Sequence, residues 1–146
     1  MKQINVLLAD DDDDDRLFFS EAIEQLDLNI SLEIAGNGME LLNHLHNPKS
    51  LTPDIIFLDL NMPIKGGMEC LSEIRKSDGL KNISVAIYST SSAEKDIEEC
   101  LIRGANVYIK KPTDFELLKT ILHKVIIMNH QYDIAGLSKE NFLMVT

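Results

Sequence analysis

The feature that most constrains the fold is an alternation of short apolar runs with helix-like, amphipathic segments. Apolar runs occur at residues 4–9, 55–58, 85–88 and 107–109, and residues 30–35 alternate between apolar and polar like an edge strand with one covered face. Each run is followed by a segment whose apolar residues recur at helical spacing. A strand followed by a helix, repeated five times, predicts a parallel sheet with helices on both faces. We therefore predict an α/β fold with five strands and five helices.

Helix boundaries are indicated by capping patterns. Three positions combine an N-cap residue with a Glu three residues later, which predicts where helices begin: Asn37 with Glu40, Ser91 with Glu94, and Thr113 with Glu116. Gly104 suits the position just past the end of a helix. The last predicted helix runs to about residue 129. Residues 131–146 are left as a tail that is too short to fold as an effector domain.

Length and charge exclude several classes of protein. The chain has 146 residues, enough for one domain, and a net charge of −10. A chain this acidic is not expected to bind nucleic acid. No apolar segment approaches the ~20 residues that span a bilayer, and the N-terminus does not resemble a secretory signal. Cys70 and Cys100 are isolated, as is typical of reduced thiols, so we predict a cytoplasmic protein without membrane contact.

Polar residues follow four of the predicted strands, at the point where each strand ends. They are Asp10 and Asp11 after the first, Asp59 after the third, Ser89 and Thr90 after the fourth, and Lys111 after the fifth. In parallel sheets, ligands bind outside the carboxyl ends of the strands. We therefore expect three carboxylates, two hydroxyls and one ammonium to converge there.

This set of groups favours phosphoryl chemistry. Three close carboxylates require a counter-charge, and Mg²⁺ prefers oxygen ligands. Lys111 adds a fixed cation and Ser89 a hydroxyl donor, which suits a phosphoryl group. A carboxylate that attacks phosphorus forms an acyl phosphate. Asp59 is the predicted nucleophile, because its strand lies between the others.

The acidic pair belongs to a run of six aspartates, residues 10–15, so its register is open by one residue. We assign the pair to Asp10 and Asp11, since they come directly after the apolar strand. The other four are expected to cap and solvate the start of the first helix. The positive end of the helix dipole stabilises acids there by about 0.3–1 kcal/mol each.

Four motifs, "VLLADD", "FLDLNMPIKGG", "YSTSS" and "YIKKP", resemble in order and spacing the receiver domain of two-component response regulators. The resemblance covers about residues 3–129. It implies a flavodoxin-like, doubly wound sheet of order 2-1-3-4-5. It also implies a receiver domain at residues 1–130 with a C-terminal tail at 131–146 and no effector domain.

The resemblance implies a metal site and a phosphoacceptor. Asp59 matches the family's phosphoacceptor, Asp11 its direct Mg²⁺ ligand, and Asp10 the neighbouring acid that acts largely through water. Asn61 matches the residue whose backbone carbonyl completes the metal site. Mg²⁺ is therefore the expected cofactor.

The resemblance also implies a switch. Lys111 matches the ammonium that pairs first with the acceptor and then with the phosphoryl group. The peptide bond between Lys111 and Pro112 is expected to be cis. Ser89 matches the hydroxyl that moves toward the phosphoryl group, and Tyr108 the aromatic residue that moves inward with it. Thr90 stands where the family often has Ala, which narrows access to the acceptor.

The implied function is that of a phosphoacceptor rather than a classical enzyme. A histidine kinase or phosphotransfer protein would supply the phosphoryl group from a phosphohistidine. The face made by the fourth helix, the last strand and the last helix would bind a downstream protein or a second copy of the chain. The identity of the downstream protein is left open. The last helix carries more apolar residues, Ile127 and Met128 among them, than the sheet needs, and the tail is expected either to pack on this surplus or to extend as a docking arm.

Three alternatives fit the residues less well. An Asp-nucleophile phosphatase of the haloacid dehalogenase type needs a second Asp two residues after the nucleophile, and this position is Asn61. A pseudo-receiver that never takes phosphate would not need the complete set of acids, hydroxyl and lysine. A flavin or nucleotide binder should have a glycine-rich first turn, and this chain has aspartates.

Overall fold

The computed structural model describes residues 2–135 and 142–144, with side chains for residues 2–130. The strands are β1 (Ile4–Ala9), β2 (Ile30–Ala35), β3 (Ile55–Leu58), β4 (Ser84–Ser89), β5 (Val107–Lys110) and β6 (Phe142–Met144). The helices are α1 (Asp13–Glu24), α2 (Gly38–His46), α3 (Gly67–Lys76), α4 (Glu94–Ile102) and α5 (Phe115–Ala135). The predicted alternation of strands and helices is confirmed.

The strands form one parallel sheet in the order β2-β1-β3-β4-β5-β6. The flavodoxin-like order 2-1-3-4-5 is therefore confirmed for the first five strands. Strand β6 was not predicted. It pairs with β5 and extends the sheet by one strand beyond the expected edge.

Two apolar cores lie on the two faces of the sheet, because alternate residues of a strand point to opposite sides. Every residue of β3 and β4 is buried. One core joins the sheet to α2, α3 and α4, through residues that include Leu41, Leu71 and Cys100. The other joins it to α1 and α5, through residues that include Phe19 and Leu118. Covering both faces requires long apolar runs in the central strands, as the sequence has.

Strand β2 and helix α5 show how far the apolar patterns are buried. Strand β2 lies at an edge, where Ile34 is 43% exposed. Along α5 an apolar stripe packs on the sheet: Leu118, Ile121, Leu122, Val125 and Ile126 are buried. The flanking Ile127 and Met128 are half-buried.

Within the described residues, no helix is long and apolar enough to cross a membrane.

One of the three predicted helix starts is confirmed. Asn37 caps α2, and its side chain accepts a hydrogen bond from the Glu40 amide at 2.9 Å. The prediction for α4 was wrong, because the helix begins two residues after the expected position and Ala93 is its N-cap. The Ser91 hydroxyl instead accepts from the Ala93 amide at 3.2 Å and donates to Asp96 at 2.6 Å.

The prediction for α5 was wrong by one residue. Asp114, rather than Thr113, accepts a hydrogen bond from the amide of Leu117 at 3.0 Å. A carboxylate is at least as good an N-cap acceptor as a hydroxyl, so the adjacent Asp takes the position. Gly104 follows α4 with a φ of 105°, as its predicted place past a helix end requires.

The predicted tail contributes to both a helix and the sheet. Helix α5 continues to Ala135, and residues 142–144 form β6. Strand β6 lies along β5, which belongs to the face expected to bind partners. Whether the tail packs on the surplus apolar residues of α5 or acts as a docking arm stays a prediction. Residues 136–141, 145 and 146 lie outside the described part of the chain, and the domain boundary at residue 130 stays a prediction.

Candidate functional site

The carboxyl edge of the sheet brings the predicted polar residues together. Asp10 directly follows β1, and Asp59 follows the adjacent strand β3. Ser89 ends β4 and is paired in register with Lys110 of β5, the residue before Lys111. These positions share one edge because the strands are parallel and their last residues are in register. The topology therefore places the acids, a hydroxyl and the ammonium side by side.

Three carboxylates form a compact group at this edge. Asp10, Asp11 and Asp59 each offer an oxygen, and these oxygens lie within 4.8 Å of one another. Asp10 and Asp59 are buried, whereas Asp11 is exposed. Asp12 is not in the group, because its side chain accepts the Asp15 amide at 3.0 Å and caps α1. The geometry therefore favours the pair Asp10 and Asp11 over the pair one residue later.

Burial makes two of these carboxylates costly to ionise. Burial raises the pKa of Asp59 to about 6, with Lys111 opposing this shift and the charge of Asp10 adding to it. Burial also raises the pKa of Asp10, against a hydrogen bond from the Asp12 amide and the nearby ammonium of Lys111. The site is thus negatively charged and poorly solvated, which favours binding of a cation.

One oxygen of the group lacks a hydrogen-bond donor. Asp10 Oδ1 accepts from the Asp12 amide at 2.9 Å. Asp10 Oδ2 is buried and lies 2.9 Å from the Lys111 ammonium, but among the described residues no aligned donor hydrogen-bonds to it. A buried carboxylate oxygen without a hydrogen bond, beside two further carboxylates, is a donor set that fits a hard divalent cation.

Lys111 lies among three carboxylates, one of which was not predicted. Its ammonium is 2.8 Å from Asp15, 2.9 Å from Asp10 and 3.7 Å from Asp59. Burial lowers the pKa of Lys111, but hydrogen bonds and charge interactions with these acids outweigh it, so the pKa is raised. Asp15 was expected only to cap and solvate α1, so its contact with Lys111 corrects that expectation.

The other acids of the run behave more as predicted. Asp12 caps α1, Asp13 forms an ion pair with Arg16, and Asp14 is exposed. In the sequence, Asp15 stands out only by its position three residues after the N-cap Asp12. That spacing sets where its side chain lies on α1, but its neighbour Lys111 is 96 residues further along the chain.

The hydroxyl residues and Tyr108 connect the site to the loop between β4 and α4. Ser89 is buried and its hydroxyl accepts the Ser91 amide at 3.1 Å, whereas Thr90 is exposed. Tyr108 is fully buried and its hydroxyl donates to the Ser91 carbonyl at 2.8 Å. Tyr108 is thus buried in this structure, and its movement together with Ser89 stays a prediction.

The loop between β3 and α3 is tightly constrained. It carries Asn61, whose amide lies 3.4 Å from an oxygen of Asp59. A Cβ atom on Gly67 would come within 2.1 Å of the Asp59 carbonyl, so only glycine fits there. Ile64 has a φ of 69°, an unusual value for a β-branched residue. The role of the Asn61 carbonyl in metal binding stays a prediction.

The bond between Lys111 and Pro112 differs from the expectation. The resemblance implied a cis peptide there, but among the described residues every peptide bond is trans. This is also the form that X–Pro bonds generally favour.

Curated proteins similar to this chain include regulatory proteins and an enzyme. The probable methanogenesis regulatory protein FilR2 of Methanothrix harundinacea is 30% identical over 82% of this chain and 79% of its own length. A protein-glutamate methylesterase/protein-glutamine glutaminase of Clostridium acetobutylicum is 36% identical, and the match covers 34% of its length. The nitrate/nitrite response regulator NarL of Escherichia coli is 34% identical over 53% of its length. The chain thus spans about a third to a half of the latter two proteins.

Solved structures share the whole fold. The phosphorylated cyanobacterial phytochrome response regulator RcpA superposes with a TM-score of 0.80 at 28% identity, covering 94% of this chain and 98% of that one. The Mn(2+)-bound response regulator Rcp1 has a TM-score of 0.78 at 27% identity, with coverages of 84% and 94%. CheY4 of Vibrio cholerae has a TM-score of 0.72 at 26% identity, with coverages of 85% and 99%.

A family model supports the same assignment. The model of the response regulator receiver domain matches residues 6–123, which include all the site residues described above. The chain therefore belongs to the response regulator receiver domains, the signalling domains of two-component systems.

Proposed function

We propose that Asp59 accepts a phosphoryl group from a phosphohistidine of a histidine kinase or phosphotransfer protein. One observation carries the proposal: the buried Asp59 carboxylate lies beside two further acids and a buried ammonium at the carboxyl edge of the sheet. A carboxylate oxygen of Asp59 attacks the phosphorus of the phosphohistidine, and the nitrogen–phosphorus bond breaks. The histidine imidazole is the leaving group, and Asp59 now carries the phosphoryl group as an acyl phosphate. Hydrolysis of the acyl phosphate later restores the carboxylate.

The other residues of the site serve binding and charge neutralisation. Receiver domains generally bind Mg²⁺ in an acidic pocket, and here Asp10, Asp11, Asp59 and the backbone carbonyl of Asn61 would hold it. Bound there, Mg²⁺ would neutralise charge on the phosphoryl oxygens. Lys111 supplies a second positive charge at the same edge.

Two hydroxyls complete the site. Ser89 donates its hydroxyl hydrogen to a phosphoryl oxygen, and the bond that its oxygen accepts from the Ser91 amide leaves that hydrogen available. The exposed Thr90 borders the path to Asp59.

The output of the proposed switch is a change in protein binding. Ser89 and Tyr108 both contact Ser91, so a movement of Ser89 toward phosphate changes the loop that leads into α4. The proposed binding face comprises α4, β5 and α5, and β6 lies along its strand. A downstream protein, or a second copy of the chain, is the proposed occupant.

The domain is proposed to act as a phosphoacceptor and not on a separate substrate. Some relatives that contain such a domain are enzymes, the methylesterases among them, and their activity belongs to those proteins. The buried, unpaired thiols of Cys70 and Cys100 suit a reducing compartment, for which we propose the cytoplasm. Neither nucleic acid nor a membrane is a proposed partner.

The test is phosphorylation by a small acyl phosphate donor, with and without Mg²⁺, followed by intact-mass measurement. We expect the native chain to gain one phosphoryl group only with Mg²⁺, and Asp59→Asn to gain none. The matched control is Asp78→Asn, which removes a fully exposed carboxylate away from the site and should react like the native chain. A native chain that gains no phosphoryl group would favour the pseudo-receiver alternative. Light scattering on the same samples tests for dimer formation.

A further inference from the structure

The contact between Asp15 and Lys111 has no role in the proposed phosphoryl transfer to Asp59. Asp15 lies in the first turn of α1, and its carboxylate is not among the three oxygens that could hold a metal. Its partner Lys111 follows β5, 96 residues further along the chain. The contact therefore depends on the tertiary structure, and it engages an ammonium that lies 3.7 Å from Asp59.

The three acids around Lys111 differ in how they engage it. The ammonium donates a hydrogen bond to Asp15 at 2.8 Å. It also forms ion pairs with Asp10 at 2.9 Å and with Asp59 at 3.7 Å. The ammonium thus lies against Asp15 of α1 and against Asp10, and it is farthest from the carboxylate that would carry the phosphoryl group.

The position of Asp15 is itself fixed. The Asp15 amide donates to the Asp12 cap at 3.0 Å, which anchors the first turn of α1. The Asp15 side chain is 37% exposed, whereas the Lys111 side chain is 9% exposed. Asp15 therefore gives the buried ammonium its most exposed partner, and this partner competes with any other anion at the site.

We propose that Asp15 is a positioning residue that holds the Lys111 ammonium away from Asp59, so that the ammonium must leave Asp15 to reach a phosphoryl group. The inference rests on the proposed function, since it concerns the reaction at Asp59. Asp15 thereby slows formation of the acyl phosphate. It acts through Lys111 alone and touches neither the phosphoryl group nor the proposed metal.

The experiment compares phosphorylation rates with acetyl phosphate and Mg²⁺ in the native chain, Asp15→Asn and Asp14→Asn. Asp14→Asn is the matched control, because it removes the same charge from the same helical turn at an exposed position. We expect Asp15→Asn to react about three to ten times faster and Asp14→Asn to stay within about 1.5-fold of the native rate. An unchanged or slower Asp15→Asn, or equal acceleration in both variants, would overturn the inference.

A second comparison tests whether the effect passes through Lys111. In a Lys111→Gln background, Asp15→Asn should change the rate by less than about 1.5-fold. Urea unfolding without Mg²⁺ gives a readout that needs no phosphorylation. There the Asp15–Lys111 pair should show a coupling of about fivefold in the unfolding equilibrium constant, and the Asp14–Lys111 pair none.

The outcomes separate the two proposals. A native chain that takes no phosphoryl group refutes the proposed function, and the inference with it. A native chain that is phosphorylated, beside an Asp15→Asn variant with the native rate or without coupling to Lys111, refutes the inference alone.

Discussion

The two ends of the parallel strands, called the amino edge and the carboxyl edge, each hold a cationic side chain. Arg75 lies at the amino edge and Lys111 at the carboxyl edge, and they have different kinds of hydrogen-bond partner. At the amino edge Arg75 donates to the carbonyls of Gly104, Lys81 and Ile83 and to the side-chain carbonyl of Asn106. At the carboxyl edge Lys111 is surrounded by carboxylates. Burial lowers the pKa of Arg75, whereas the acids raise the pKa of Lys111 against its burial.

This difference distinguishes a structural site from a reactive one. Arg75 connects the end of α3 by hydrogen bonds to the segments that precede β4 and β5. Its acceptors are neutral oxygens, so no surplus of negative charge collects around it. The acids around Lys111 outnumber it, and one buried oxygen of Asp10 lacks a hydrogen bond. Surplus negative charge at a buried site costs stability, and a bound cation or a neutralising substitution recovers that cost.

The largest effect is expected where the amino edge loses its cation. Arg75→Met should lower the free energy of unfolding by about 4 kcal/mol, because several partly buried carbonyls lose their donor. Arg75→Lys should recover only part of this loss, since an ammonium cannot reproduce the planar fork of the guanidinium. Urea denaturation measures both. A loss below about 1 kcal/mol for Arg75→Met would contradict the structural role of this residue.

At the carboxyl edge, the loop that carries Asn61 should tolerate little added volume. Gly67→Ala places a Cβ atom 2.1 Å from the Asp59 carbonyl, and we expect a loss of about 3 kcal/mol in urea denaturation. Gly66→Ala is the matched control, because its Cβ atom would lie 3.5 Å from its nearest neighbour. Equal losses in both variants would show that the tight contact at Gly67 is relieved by a shift of the loop.

Neutralising Asp59 should stabilise the protein at neutral pH without Mg²⁺. Its pKa is raised to about 6, so its ionisation disfavours the folded state. This penalty is absent below the unfolded pKa of about 4 and grows as the pH rises toward the folded value. Asp59→Asn should therefore gain about 2 kcal/mol at pH 7.5 and almost nothing at pH 4.

Denaturation of Asp59→Asn and the native chain across this pH range checks the sign. Asp78→Asn, an exposed control, should show no such trend. If Asp59→Asn gains the same unfolding free energy at both pH values, ionisation of Asp59 does not destabilise the folded protein.

The smallest effect is expected at Ile64, which is 79% exposed and has a φ of 69°. Ile64→Gly should raise stability by about 0.5–1 kcal/mol, because glycine adopts this backbone conformation without steric cost. Ile102→Gly is the contrasting variant, since Ile102 is equally exposed but helical, and there glycine should destabilise. A thermal melt distinguishes the two directions, and a loss at Ile64 would remove the case for backbone strain in this loop.

Much of the site could be predicted because it follows from strand ends. Asp10, Asp59, Ser89 and Lys111 each end or directly follow a strand, and parallel pairing places such residues at one edge. Helix starts were predicted less well, because several polar residues compete for one cap. Ser91 bonds to the Ala93 amide and to the Asp96 side chain in the first turn of α4 without being its N-cap, and Asp114 takes the cap of α5 in place of Thr113.

By itself, the sequence determined the order of strands and helices and the approximate position of the acids, since apolar periodicity and turn residues act locally along the chain. Only the tertiary structure decided which of the aspartates meets Lys111, that Tyr108 is buried against the Ser91 carbonyl, and that residues 142–144 extend the sheet. Each of these depends on contacts between residues far apart in sequence. Such contacts form only when packing of the whole sheet and its helices fixes the distances between them.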